Sequence, residues 1–180
     1  MEQPLVSILI AAYNQEKFIG EAIESVLAST YKNFELIIVD DCSPDSTYLI
    51  AEGHAIKDKR IRLYKNETNL GDYPNRNKVA SYAKGKYLKY IDGDDAIYYW
   101  GLQVQVEMME RFPEVAYGLD GVMQDDYRMF PYALSPKETY YAVYVKKMEL
   151  FEKGPTSCII KRNIAHIINT ESCFICIAFL

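Results

Sequence analysis

The segment Lys89, Tyr90, Ile91, Asp92, Gly93, Asp94, Asp95 carries an apolar and aromatic run straight into three carboxylates within four positions. Carboxylates this close repel one another by about 1 kcal/mol per pair or more at the dielectric of a protein surface, so they persist most easily where a cation neutralises them. Hard divalent ions suit such a set. Mg2+ and Mn2+ take oxygen ligands and share their coordination sphere with substrate phosphates. The cluster therefore points to a metal-bridged phosphate site at the carboxyl end of a strand, set against the plainer reading of an acidic turn that holds nothing. No GxGxxG follows the first apolar run and no GxxxxGK(S/T) occurs anywhere, which argues against dinucleotide oxidoreductases and P-loop enzymes. A phosphate would then be held by metal and by cationic side chains. Arg76, within Asn69, Leu70, Gly71, Asp72, Tyr73, Pro74, Asn75, Arg76, Asn77, is the best-placed cation; its plainer reading is a solvent-exposed helix arginine.

The elements that must position these groups can be read from periodicity. Residues 5–12, LVSILIAA, form a near-continuous apolar and β-branched run, the mark of a strand covered on both faces. Phe18, Ile19, Ala22, Ile23, Val26 and Leu27 then recur at helical spacing, with Glu16, Glu21 and Glu24 on the wet side. A second strand over 34–39 ends at Asp40 and Asp41, and the next helix is expected to begin near Ser43 or Asp45 with Pro44 in its first turn. Asp40 reads equally as a local turn or cap and as a ligand. A strand over 61–64, a helix over 73–83 and the strand 86–91 repeat the pattern.

Alternating strands and helices imply right-handed crossovers and an α/β doubly wound, mostly parallel, Rossmann-like sheet in three α/β/α layers. Ligands in such sheets bind at the carboxyl edge. Tyr13 and Asn14, Asp40 and Asp41, and Asp92 to Asp95 all fall on that edge, and their convergence points to a nucleotide site. Further on, 98–112 reads as an amphipathic helix, 115–119 as a strand, 120–136 as irregular and 137–152 as helical, while 163–180 matches no clear element.

The 180-residue chain is one domain by length, able to bury about 70% of its unfolded surface. Its net charge of −5 argues against a nucleic-acid partner, which needs a positive patch. Sixteen tyrosines are an excess, and many of their hydroxyls are expected to be wet. The four cysteines show no disulfide framework; Cys173 and Cys176 form a CxxC without a second ligand pair, closer to free thiols than to a zinc or redox site. Residues 1–4 lead directly into the first strand without a signal sequence, and 174–180 is too short to span a bilayer, so a cytoplasmic location is expected.

The run VSILIAAYNQEKFIGEAIESVLASTYKNFELIIVDDCSPDST, followed by NLGDYPNRN and GKYLKYIDGDD, resembles the inverting family 2 glycosyltransferases of the GT-A fold, with the motifs in that family's order and spacing. GPTSCIIKR, at 154–162, resembles the strand that follows the acceptor-site insertion. The resemblance implies a single GT-A domain over 1–180, with a nucleotide-binding half over about 4–96 and an incomplete acceptor half over about 97–180. It implies that the Ala11 backbone and the Tyr13 ring embrace a uracil, and that Asp41 accepts the uracil N3 hydrogen. Arg76 and Asp92 serve the nucleotide, with Asp92 near ribose or metal, Asp94 as ligand to Mg2+ or Mn2+, and Asp95 toward donor sugar or acceptor. The donor is then a nucleotide-sugar, a UDP-sugar, and the acceptor a glycan or lipid-linked glycan met with peripheral association at the inner face of the membrane.

The chain departs from the family pattern after Arg162, where an acidic pair leading a helix would supply the base that removes the acceptor proton. The weak substitutes are Glu171, Asp125 and Asp126, each matched by the plainer reading of a solvated carboxylate. The expectation is thus a transferase shortened at its carboxyl end. The alternative, from a different class, is a catalytically impaired module that only binds a nucleoside diphosphate. A sugar-phosphate nucleotidyltransferase lacks its Gly-rich, Arg-containing loop here.

Overall fold

A computed structural model describes residues 3–119 and 158–165. The chain runs β1 (Val6–Ala12), α1 (Ile19–Leu27), β2 (Phe34–Asp40), α2 (Thr47–Ala55), β3 (Ile61–Lys65), α3 (Asp72–Ser81), β4 (Tyr87–Tyr90), α4 (Gly101–Arg111), β5 (Tyr117–Leu119), β6 (Cys158–Lys161) and a short α5 (Arg162–Ala165). These strands form a six-stranded sheet in the order β3-β2-β1-β4-β6-β5. β1 lies between β2 and β4, and β3 extends the sheet beyond β2, all in parallel; β6 pairs antiparallel with both β4 and β5.

The apolar alternation decides which helix covers which face. Val6, Ile8, Ile10 and Ala12 join Leu36 and Ile38 in a core packed against Ile19, Ala22, Ile23 and Val26 of α1 and Leu102, Val106 and Met109 of α4. Leu9, Ile37, Val39 and Leu88 point the other way, onto Val79 and Ala83 from α3 and its end. Helices thus cover both faces, which is why β1 and β2 read as continuous apolar runs. Each large aliphatic side chain so buried contributes about 1.5–3 kcal/mol.

The chain winds outward from β1 through β2 to β3, and α3 then carries it back across to β4 on the other side of β1. The strand order reverses between β1 and β4, opening the crevice where ligands of such sheets bind. α3 is preceded by Gly71, whose φ of 86° is a conformation that glycine adopts without strain. Asp72 in the first turn complements the helix dipole, and Pro74 falls where backbone N–H groups have no intrahelical acceptor.

Several expectations are corrected. α2 begins at Thr47, not at Ser43 or Asp45, because those two side chains bond to the neighbouring loop and to Thr47 instead of opening the helix. α4 begins at Gly101, since Tyr98 to Trp100 form the turn that precedes it. Tyr13, Tyr73, Tyr98 and Tyr99 are exposed, in line with the expectation of wet hydroxyls, while Tyr31 donates to the Pro4 carbonyl, Tyr87 to Glu110 and Tyr90 to the Arg76 carbonyl. The expected helix over 137–152, the irregular 120–136 and the Cys173–Cys176 pair lie outside the described residues. Among those described, Cys42 is a free thiol and no helix is long and apolar enough to cross a membrane.

Candidate functional site

The carboxyl ends of β1 and β2 are tied together first by backbone. Asp41 N–H donates to the Ala12 carbonyl at 2.8 Å, and Ala11 pairs in register with Val39. The residues that follow these strands, Asn14 and Cys42, sit at φ 58° and 59°, the left-handed region that turns the chain sharply out of the sheet. Three successive amides then dock onto the β2–α2 loop: Asn14 N on Ser43 Oγ at 3.0 Å, Gln15 N on Thr47 Oγ1 at 2.7 Å and Glu16 N on Asp45 Oδ2 at 3.1 Å. Glu16 returns the contact by accepting from Ser46 N at 3.1 Å. This latch presents Tyr13 at the sheet edge with 48% of its surface exposed. Asp45, which also accepts from Thr47 N and Oγ1, is held below the usual carboxylate range by those hydrogen bonds, which outweigh its burial.

Asp41 is 2% exposed. Its Oδ1 accepts from Asn66 Nδ2 at 2.6 Å and from Leu70 N at 2.9 Å, and its Oδ2 accepts from Gly71 N at 2.9 Å. Asn66 Nδ2 also donates to Asn75 Oδ1 at 3.0 Å, and Asn75 Nδ2 to the Val39 carbonyl at 3.1 Å. Asp40, 1% exposed, accepts from Ser43 N at 3.1 Å on Oδ2, as in a local turn, with Lys65 Nζ 4.0 Å from the same oxygen, while its Oδ1 is buried without a hydrogen-bond partner among the described residues.

The acidic cluster follows β4. Asp92 Oδ1 receives Arg76 Nη2 at 2.7 Å, while Arg76 Nε holds Asp72 at 2.7 Å. Arg76 is therefore not a solvent-exposed helix arginine: its side chain is 15% exposed and clamped between two carboxylates. Part of the charge that a metal was expected to neutralise is met by this guanidinium. Burial pushes the Asp92 carboxyl up, Arg76 opposes the shift, and Asp95 and Asp94 add to it. Asp94 and Asp95 are exposed on the turn beyond.

Among the described residues no three His, Cys, Asp or Glu side chains converge as a metal cage. The donor set nevertheless fits a hard divalent ion. Mg2+ and Mn2+ in phosphate-handling sites take one or two carboxylates and complete their shell with phosphate oxygens and water, and Asp94 and Asp95 offer oxygen at an exposed turn.

The structure thus places Ala11, Tyr13 and Asp41 at the carboxyl ends of β1 and β2 and pairs Arg76 with Asp92, next to Asp94 and Asp95, beyond β4. Asp125, Asp126 and Glu171 lie outside the described residues. Sequence reasoning missed Asn66 and Asn75 as parts of the site; the available signal was that each is a polar residue at the end of a strand or on the covered face of a helix.

The sequence model of the family described as Glycosyl transferase family 2 matches residues 7–167. Over 145 residues the chain is 37% identical to UDP-Glc:alpha-D-GlcNAc-diphosphoundecaprenol beta-1,3-glucosyltransferase WfaP of Escherichia coli, covering 79% of this chain and 56% of that protein. It is 42% identical over 112 residues to an uncharacterized glycosyltransferase, MJ1057, of Methanocaldococcus jannaschii, covering 61% of this chain and 39% of that protein. The chain spans about half the length of the curated relatives it matches. Among solved structures it is similar to S. aureus TarS 1–349, with a TM-score of 0.73 and 22% identity over 91% of this chain and 48% of that one; TarS 1–349 has also been solved with UDP and with UDP-GlcNAc. It is likewise similar to the mannosyltransferase PcManGT of Pyrobaculum calidifontis in complex with GDP-Man and Mn2+, with a TM-score of 0.71 and 18% identity over 94% of this chain and 48% of that one. At those identities the structural likeness shows the fold, that of GT-A glycosyltransferases.

Proposed function

The chain belongs to glycosyl transferase family 2, and from that premise we propose that it moves a sugar from a nucleoside diphosphate donor, a UDP-sugar, to a glycan or lipid-linked acceptor with inversion at the anomeric carbon. The observation that carries this reading is the Arg76–Asp92 pair at the acidic turn after β4, on the same carboxyl edge of the parallel strands as Tyr13 and Asp41. The UDP-Glc donor of WfaP and the UDP and UDP-GlcNAc complexes of TarS support uridine as the nucleoside.

The Tyr13 ring stacks on the base, a contact worth about 1–3 kcal/mol. Asp41 accepts the uracil N3 hydrogen. Cytosine offers no hydrogen at that position and would leave a buried carboxylate oxygen unmet, at about 1–3 kcal/mol, so uridine, or a thymidine analogue, is preferred. Asp92 faces the ribose, and Arg76 presents a fixed guanidinium beside the diphosphate. Asp94 would hold Mg2+ or Mn2+, which when bound offsets the charge that develops on the departing diphosphate. The acceptor hydroxyl attacks the anomeric carbon from the face opposite the diphosphate and loses its proton to a carboxylate, for which Asp125, Asp126 and Glu171 are the candidates, with Asp95 lining the sugar side. A lipid-linked acceptor places the reaction at the cytoplasmic face of a membrane.

Calorimetry with UDP, CDP and GDP, with and without Mn2+, followed by assays of donor hydrolysis and sugar transfer, tests the reading. Mn2+-dependent binding that prefers UDP, together with transfer, is expected. Binding with neither hydrolysis nor transfer would replace the transferase by a module that only captures nucleoside diphosphates.

A further inference from the structure

We infer that Asn66 and Asn75 are positioning residues for base recognition, an amide relay anchored on the backbone of β2 that decides which oxygen of Asp41 meets the nucleotide. Their role rests on the assignment of Asp41 to the uracil edge proposed above. The relay runs from the Val39 carbonyl to Asn75 Nδ2 at 3.1 Å, from Asn75 Oδ1 to Asn66 Nδ2 at 3.0 Å, and from Asn66 Nδ2 to Asp41 Oδ1 at 2.6 Å. Both asparagines are buried, at 3% and 2% exposure.

The orientation of the Asn66 amide follows from its partners. Both of them, Asp41 Oδ1 and Asn75 Oδ1, are acceptors, so the amide must present nitrogen to both; turned over, it would set oxygen against oxygen. Asn75 is oriented by the same logic, since its nitrogen faces a carbonyl. With both hydrogens directed inward, Asn66 Oδ1 is buried and has no hydrogen-bond partner among the described residues. Leaving it unmet is the consequence of turning both hydrogens onto the relay.

The relay makes the two oxygens of Asp41 unlike. Oδ1 receives Asn66 Nδ2 and Leu70 N, which fills both of its lone pairs. Oδ2 receives Gly71 N and, among the described residues, nothing else, which leaves one lone pair for a ligand. A carboxylate fixed in this way offers a single acceptor to a single N–H, as in the uracil ring. Without Asn66, Oδ1 keeps only Leu70 N and offers a lone pair as well, which would meet the exocyclic amino group of cytosine and blur the distinction between the two bases.

The test measures UDP and CDP affinity by calorimetry in Mn2+, with melting temperature in parallel, on the wild type and on Asp41→Ala, Asn66→Ala, Asn75→Ala and the Asp41→Ala/Asn66→Ala pair. Asn66→Ala is expected to lower the UDP:CDP affinity ratio about tenfold, the scale of one hydrogen bond to a charged group. Asn75→Ala should lower it by less. Adding Asn66→Ala to Asp41→Ala should not change the ratio further. A lower melting temperature with the ratio intact in both asparagine variants would overturn the inference, as would an equal loss of ratio on the Asp41→Ala background. Should Asn66→Ala fail to fold, Asn75→Ala decides by the same ratio. A wild type that does not prefer UDP would remove the base assignment and the relay together, whereas a preference lost in Asp41→Ala but kept in both asparagine variants removes the relay alone.

Discussion

The face of the sheet beneath α3 carries a polar cluster at each end, and the two are resolved in opposite ways. At the amino end, Glu35 accepts from Ser7 Oγ at 2.6 Å, from Lys84 N at 2.7 Å and from Arg62 Nη1 at 2.8 Å. Ser7 Oγ in turn accepts from Lys84 N and Gly85 N. The backbones pack so closely there that a Cβ on Gly85 would stand 2.5 Å from Ser7 N. Burial raises the Glu35 carboxyl, but Ser7, the Lys84 amide and Arg62 together bring it below its ordinary value. At the carboxyl end, burial wins over Arg76, and Asp94 and Asp95 push Asp92 further up. One cluster is closed on itself. The other keeps a surplus of negative charge at an exposed edge, a state that stabilises nothing by itself and is suited to receiving a cation and a diphosphate.

If the two ends differ in this way, substitutions should separate ligand binding from stability. Asp94→Ala is expected to abolish Mn2+-dependent UDP binding, the largest effect, while leaving the melting temperature within a degree or two; unchanged affinity in calorimetry would break the contrast. Glu35→Ala should do the reverse. Removing one partner of a largely buried pair leaves Arg62 uncompensated, and a loss of about 2–3 kcal/mol is expected, below the fully buried figure because Arg62 is 28% exposed; urea titration reads it, and UDP affinity should hold. Tyr13→Ala should weaken UDP by about 2 kcal/mol through lost stacking without altering the Mn2+ requirement. The smallest effect is on pH dependence. Because the folded Glu35 carboxyl titrates below its ordinary 4.5, its contribution is present above that value and fades as pH falls through the depressed one. Glu35→Gln should therefore flatten the decline of stability below about pH 4.5 in urea titrations at stepped pH.

The order of strands and helices was legible because β1 and β2 are buried on both faces and announce themselves as apolar runs, and because α1 carries a clean stripe at Ile19, Ala22, Ile23 and Val26. The insertion of β6 between β4 and β5 was not, since no local pattern in Cys158–Lys161 names its neighbours. At the site, the exposed acidic turn and Tyr13 stand out by residue type. The start of α2 was misread because Ser43 and Asp45 suit a helix cap as well as they suit the loop amides they actually hold. Arg76 could be picked out as a cation, but not its clamp between Asp72 and Asp92, which depends on how α3 crosses to β4. Asn66 and Asn75 escaped notice because a buried amide acquires meaning only from partners distant in sequence.

The central claim is that the carboxyl edge reads a uracil with Asp41 and holds a divalent ion at the acidic turn. A crystal structure of the chain with UDP and Mn2+ tests it most directly. The account predicts the uracil N3 within hydrogen-bond distance of Asp41 Oδ2, the ring against Tyr13 and the metal on Asp94. A nucleotide bound with its base away from Asp41, or a metal that bypasses the Asp92–Asp95 turn, would contradict it.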